Sequence, residues 1–214
     1  TLLNIPNYYI DAKLRVDRND TYNGIGGGLL VYVRNGLHIL TCDNNSDFNQ
    51  YCTFNVLNDD KTTDFVVTLV YRSPNSNQEN TDKLCELIKN LPEADNHFIL
   101  GDFNMTGIDW RNLNACNKYK NFVDITSEKS LEQLVNFPTH NKGNTLDLVF
   151  SNFPDRILNV ENIGNLGNSD HAMISIDILS ELKTDLPCDD IPDWSNADYG
   201  AFEEHILNSN METN

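Results

Sequence analysis

Apolar residues recur with a period of two over the first third of the chain, and that period predicts strands. Residues 29–34 and 37–41 are apolar stretches flanking Asn35-Gly36, a pair that tolerates positive φ and favours a two-residue hairpin turn. Residues 51–57 alternate apolar and polar side chains, Asn58-Asp59-Asp60-Lys61 reads as a turn, and the Val-rich run 65–71 follows as a buried strand. An antiparallel meander is expected. The period then lengthens: Leu84, Leu87, Ile88 and Leu91 recur at three- and four-residue intervals within 78–91, and Pro92 ends the pattern, as in an amphipathic helix. Residues 97–100 predict a short buried strand that delivers Asp102 and Asn104 to its far end. A second helix is expected at 119–126, with strands at 131–135, 145–150, 157–160 and 172–178. Helices between β runs imply a layered, sandwich-like α/β domain.

Beyond Leu182 the pattern is lost. Asp185-Leu186-Pro187-Cys188-Asp189-Asp190-Ile191-Pro192-Asp193 is acidic, proline-containing and aperiodic, which reads as a linker, and residues 196–207 are expected to restart a short helix of a following region. The expected division is one domain over 1–182 and a linker over 183–214. At the other end, Thr1-Leu2-Leu3-Asn4-Ile5-Pro6 reads as the interior of a longer polypeptide.

Composition changes this picture little. The 214 residues are 39% hydrophobic and 22% charged, ordinary for a folded domain and unlike collagen or a disordered chain. Charge says more: 15 basic against 32 acidic residues give −17, the wrong sign for bulk attraction to nucleic acid. A polyanionic substrate would have to be held by local contacts or bound cations, with weak affinity. Cys42, Cys52, Cys85, Cys116 and Cys188 are widely spaced, odd in number and without a C-x-x-C pair, so reduced thiols are expected rather than a disulfide framework or a zinc site. Asn-x-Ser/Thr triplets at Asn19, Asn44 and Asn104 are short enough to occur by chance and no secretory signal accompanies them, so an intracellular protein is expected. No apolar run approaches the ~20 residues needed to span a bilayer, and no membrane partner is expected.

The candidate chemistry lies in Gly101-Asp102-Phe103-Asn104, Leu146-Asp147-Leu148 and Ser169-Asp170-His171, each beside a short apolar run. Taken singly, each has a plain structural reading: Asp and Asn form turns, Asp147 pairs with a buried cation, and Ser169-Asp170 caps a strand. Independent turns have no reason to supply Asp, Asn, Asp, Asp and His together at predicted strand ends. Phosphodiester hydrolysis needs an oriented water, a cation and donors to the phosphate oxygens, and these residue types supply each role. Trp110, Tyr119 and Phe122 are read as core rather than base-stacking residues. Gly26-Gly27-Gly28 is read as a flexible strand entry, since no lysine and serine or threonine follow as in a phosphate-cradling loop.

Those three motifs, with Thr145 to Phe150 around the second, resemble the later motifs of the endonuclease/exonuclease/phosphatase superfamily, which includes DNase I-like nucleases. More narrowly, Asp17-Arg18, the run from Gly26 to Arg34, Val70-Tyr71-Arg72-Ser73-Pro74, and Gln133-Leu134-Val135-Asn136-Phe137-Pro138-Thr139 resemble the endonuclease domain of non-LTR (LINE-type) retrotransposon proteins. The likeness runs from about Ile5 to Ile178. It implies a DNase I-like four-layer α/β/β/α sandwich lacking its first strands, a Mg²⁺-dependent (or Mn²⁺-dependent) endonuclease that nicks target DNA for reverse transcription, a reverse transcriptase region in cis, and a nuclear location. It also implies roles. Asp102 orients or deprotonates water, Asn104 positions it, His171 donates to the phosphate, Asp147 holds the imidazole, Tyr71 offers its hydroxyl, and Asp170 sits on the metal side. Arg72, Asn104 and His140 would contact substrate.

Two departures stand out. The Asn and principal metal-ligand Glu on that family's first two strands have no counterpart after Thr1, and Glu79, Glu86 and Glu93 fall in the helix region, so weak or absent activity is expected of this chain alone. His140 stands where such endonucleases often carry arginine. Two other functions remain open: hydrolysis of a small phosphoester or lipid head group, and a binding module without catalysis.

Overall fold

The computed structural model describes residues 4–18, 27–42 and 45–180. Tyr8–Asp17 (β1) pairs antiparallel with Gly28–Arg34 (β2). His38–Thr41 (β3), Tyr51–Leu57 (β4) and Thr63–Tyr71 (β5) form the expected antiparallel meander. Gln78–Lys89 (α1) crosses over to His97–Asp102 (β6), which lies parallel to β5. A short pair, Ile108–Asp109 (β7) and Asn114–Ala115 (β8), precedes Lys120–Glu128 (α2) and Glu132–Gln133 (β9). Asp147–Ser151 (β10) runs antiparallel to β6 and β9, and Ile157–Asn165 (β11) makes a hairpin with Ala172–Ile178 (β12).

The principal sheet has the order β3-β4-β5-β6-β10-β9. Strict alternation sends its side chains to two cores. Val70, Ile99, Leu148 and Phe150 meet Leu84 and Ile88 of α1 and Phe122 and Ile125 of α2 on one face. Cys52, Phe54, Val56, Phe65, Val67 and Phe98 meet Leu14 of β1 on the other, with Ile157 and Ile178 of the β11–β12 hairpin packed against them. The layers are thus helices, sheet, and a second β layer made of two hairpins, an α/β/β sandwich. Among the described residues none forms a helix outside that second β layer.

Local chemistry explains the helices. Asn77 caps α1 by accepting the Asn80 N–H at 2.9 Å, Glu79 and Lys89 sit at the ends that suit their charges, and Thr81, Leu84, Cys85, Leu87 and Ile88 form its buried stripe. Near α2, Trp110, Phe103, Phe122 and Phe150 stack with centroids 5.4 Å apart for Trp110–Phe150 and 5.6 Å for Phe103–Phe150, so Trp110 and Phe122 are core, as expected. Tyr119 is buried with them.

Two expectations are corrected. Asn35-Gly36 does turn the chain, with Gly36 at φ +91°, but β2 and β3 do not pair: one joins β1 and the other β4. The Asn35 N–H donates to the Asn7 carbonyl at 2.7 Å, so the turn is tied to the start of β1 and carries the chain from one β layer to the next. β1 itself carried no expectation, because only Leu14 of its ten residues is fully buried and a register shift between Ile10 and Arg15 breaks its alternation. The strand expected at 131–135 shortens to two residues, since the Gln133 side chain bonds both the N–H and the carbonyl of Val135 and closes the ladder. The linker and the helix expected at 196–207 lie outside the described residues.

Candidate active site

Three strands deliver three side chains to one row. Tyr71 is in register with Asp102 across the parallel β5–β6 pair, and Asp147 is opposite Asp102 across β6–β10. In-register partners share a face, here the face toward the hairpins. Gly101 permits the approach: its φ is +145°, and a Cβ there would lie 1.8 Å from the Val70 carbonyl oxygen.

Asp102 is held by Asn104, whose φ is +49°. The Asn104 N–H donates to Oδ1 at 3.1 Å, and its Nδ2 donates to Oδ2 at 2.6 Å and to the Arg72 carbonyl at 3.0 Å. Burial, then the neighbouring Asp147 charge, push the Asp102 carboxyl up to about 6, against the opposing pull of His171 and Asn104.

The imidazole arrives from the second β layer. His171, at the mouth of β12, places Nδ1 2.8 Å from Asp147 Oδ2. Asp147 being an acceptor, the proton lies on Nδ1 and the other ring nitrogen is left for the site. Burial alone would lower the His171 pKa, but the hydrogen bond and charge of Asp147, with Asp102 and Asp170, outweigh it and hold it above its ordinary value.

A residue that the sequence presented only as part of a family motif holds this seam. Thr139 is buried, and its Oγ1 accepts the N–H groups of Leu146 and Asp147 at 2.9 and 3.0 Å, while its carbonyl accepts the Ala172 N–H at 2.8 Å. The Asn141 N–H bonds the Asp170 carbonyl, and His140 bridges His171. Thr139 therefore fixes the start of β10 to the start of β12. Pro138-Thr139 at the end of an apolar run was the available signal.

Not every expected residue reaches the site. Arg72 is fully buried beneath it: its guanidinium donates to the carbonyls of Phe103, Asn104 and Ser76 and to Thr81 Oγ1, at 2.9–3.3 Å, and lies over the Tyr119 ring. An arginine so engaged shapes the Asn104 turn and is not open to a phosphate, which corrects the expectation of a substrate contact. Tyr71 is nearly covered, and its hydroxyl lies against Gly27, where a Cβ would come within 2.2 Å. Asp170 is the most open carboxylate of the group, and His140 Nε2 lies 3.3 Å from its Oδ2. Glu79 and Glu86 project from the exposed side of α1, on the other face of the sheet, and do not approach Asp102.

Two trios bring possible ligand atoms within 4.8 Å of one another: Asp102, Asp147 and His171, and His140, Asp170 and His171. The first trio offers the paired carboxylates of Asp102 and Asp147, and carboxylate oxygens are the donor chemistry of a hard divalent cation, so the residues present fit one. A cavity of about 1150 Å³ opens elsewhere, around α1, lined by Asp47, Glu79, Asp82, Glu86, Glu93 and Asp95. Large pockets often mark sites, but this one holds none of the strand-end row, and its acidic wall repels phosphates.

A mixed sheet flanked by helices and a second β layer, with Asp, Asn, Asp and His at one edge, is the DNase I-like arrangement of the endonuclease/exonuclease/phosphatase superfamily. The family model described as Endonuclease-reverse transcriptase matches residues 65–175, and the chain belongs to that family. The fold is similar to that of the endonuclease domain of TRAS1, a telomere-specific non-LTR retrotransposon, at 14% identity and a TM-score of 0.57, covering 81% of this chain and 79% of that one. It is also similar to a mannosyl-6-phosphatase of Bacteroides thetaiotaomicron, at 14% identity and a TM-score of 0.51, covering 82% and 78%. No curated protein matches the chain. Fold and family together support phosphodiester hydrolysis by a hydrolase of the nuclease type.

Proposed function

We propose that this chain carries a metal-dependent endonuclease site that nicks target DNA, in a protein whose nick primes reverse transcription by a polymerase region in cis. The observation that carries the reading is the convergence of Asp102, Asp147 and His171, from two β layers, on one point. Asp102, its carboxyl raised to about 6, takes the proton of the attacking water, and Asn104 holds both of its oxygens. The water oxygen bonds phosphorus as the bond to the 3′-oxygen breaks, and the departing oxygen takes a proton from solvent to become the 3′-hydroxyl. His171, whose imidazolium form the Asp147 hydrogen bond and charge favour, donates to a non-bridging oxygen as negative charge grows there. Asp170, with the row carboxylates, would hold Mg²⁺ or Mn²⁺, which supplies neutralising charge at the phosphate when bound. A linker over 183–214 leading to the polymerase region, and a nuclear site of action, belong to the same proposal.

A second reading keeps the chemistry and replaces DNA by a small phosphoester, and the −17 net charge favours it. Supercoiled plasmid and bis(p-nitrophenyl) phosphate, each with Mg²⁺, separate the two. Conversion of plasmid to open circles supports the nuclease. Turnover of the small ester with untouched plasmid moves the assignment to the second reading. Failure of both substrates points to a binding module. His171→Ala should remove nicking by at least about 100-fold, the lower end for a general acid or base, without altering the circular-dichroism spectrum.

A further inference from the structure

We propose that His140 is a positioning residue that holds Asp170 in place through the close approach of its Nε2, neither touching substrate nor ligating a metal; this rests on the reading above that Asp170 serves a divalent cation. The protonation state of the ring follows from its partners. His140 Nδ1 accepts the backbone N–H of Lys142 at 3.0 Å. A backbone amide only donates, so Nδ1 keeps its lone pair and the neutral ring carries its proton on Nε2. That nitrogen lies 3.3 Å from Asp170 Oδ2.

The geometry leaves the ring one task. Its side chain is only 10% exposed, while the Asp170 carboxylate is 59% exposed and makes no side-chain hydrogen bond and no other ion pair among the described residues. Edge-to-face packing on His171, with centroids 5.0 Å apart at 82°, and the backbone bridge between the two residues keep the ring in place. A nitrogen bearing a proton has no lone pair for a metal, so the trio of His140, Asp170 and His171 is not a three-ligand centre in this arrangement. Instead the histidine orders an otherwise loose carboxylate, as outer partners of metal ligands do.

Two measurements on the chain itself test this, and neither depends on turnover. Long-range ¹H–¹⁵N correlation of the imidazoles at neutral pH, without metal, should give the Nε2–H tautomer for His140. Calorimetric titration with Mn²⁺ should show affinity about tenfold weaker in His140→Ala, the lower end for loss of such a partner. It should be largely restored in His140→Gln, whose amide N–H reaches a similar position. An Nδ1–H tautomer, equal Mn²⁺ affinity in wild type and His140→Ala, or no rescue by glutamine would each overturn the assignment. Plasmid nicking reports separately: a tenfold affinity loss without nicking in the wild type sinks the nuclease reading and leaves this one, and normal nicking with no affinity change does the reverse.

Discussion

The principal sheet and the two hairpins that cover one of its faces are held together by different means. In β10 four of five residues are fully buried, whereas β11 has none, and Leu158 is 66% exposed. The sheet is welded by apolar packing on both faces. The second β layer is fastened at points: Leu14 in the core, Thr139 at the site, and the Asp64–Arg156 pair at the far end. The candidate site lies across this seam, with Asp102 and Asp147 on the rigid side and Asp170 and His171 on the pinned side. Exact placement of the imidazole therefore depends on a few polar fasteners more than on bulk packing.

The largest effect that follows is a contrast within one experiment. Phe150→Ala empties the centre of the aromatic cluster and should cost about 3–5 kcal/mol by urea unfolding, whereas Leu158→Ala should stay within about 0.5 kcal/mol. Comparable losses at the two positions would mean that the layers are not built differently.

Next is the far fastener. Arg156 donates to Asp64 Oδ1 at 2.8 Å and to the carbonyls of Asp64 and Leu179, and Ser180 donates to the other Asp64 oxygen. Both charged side chains are nearly covered, at 5% and 11%. Arg156→Ala strands a buried carboxylate and should cost about 3 kcal/mol. Hydrogen exchange in β11 and β12 should rise more than in β5 and β6; uniform acceleration would show that the pair supports the whole fold rather than the hairpin.

The near fastener is smaller in energy and closer to function. Thr139→Val preserves shape but leaves the Leu146 and Asp147 N–H groups without an acceptor, for about 1–3 kcal/mol. If the seam matters as argued, the His171 Nδ1–H resonance, hydrogen-bonded to Asp147, should broaden or shift upfield. An unmoved resonance would remove Thr139 from the account.

Much of this was legible in the sequence, for reasons that particular elements make clear. The α1 stripe and its Pro92 stop, and the meander strands β4 and β5, stood out because their burial is one-sided or nearly complete, whereas β12 at Ala172–Ile178, half-buried along nearly all its length, stood out by its apolar run. The half-exposed β1 did not, and Asn35-Gly36 gave the turn but not its partner strands, since turn chemistry fixes local φ while pairing is decided by which core the strands reach. At the site, residue types announced Asp102, Asn104, Asp147, Asp170 and His171. The inward roles of Arg72 and His140 depend on which carbonyl, amide or carboxylate lies a few ångströms away, and no one-dimensional pattern carries that.

The smallest effect is a pH dependence on the rigid side of the seam. In the metal-free protein, the folded Asp102 carboxyl sits at about 6 against 3.8 for an ordinary aspartate, so the native state holds this proton more tightly than the unfolded chain does. The associated stability is fully present below 3.8 and is lost as pH rises toward 6. Asp102→Asn mimics the protonated form and cannot lose it. In EDTA the variant should match wild type near pH 3.5 and exceed it by about 1–2 kcal/mol at pH 8, the lower figure allowing for one disturbed bond to Asn104. Parallel curves for Asp102→Asn and wild type would mean that the row carboxylate is solvated like a surface group, and the buried general base would lose its physical basis.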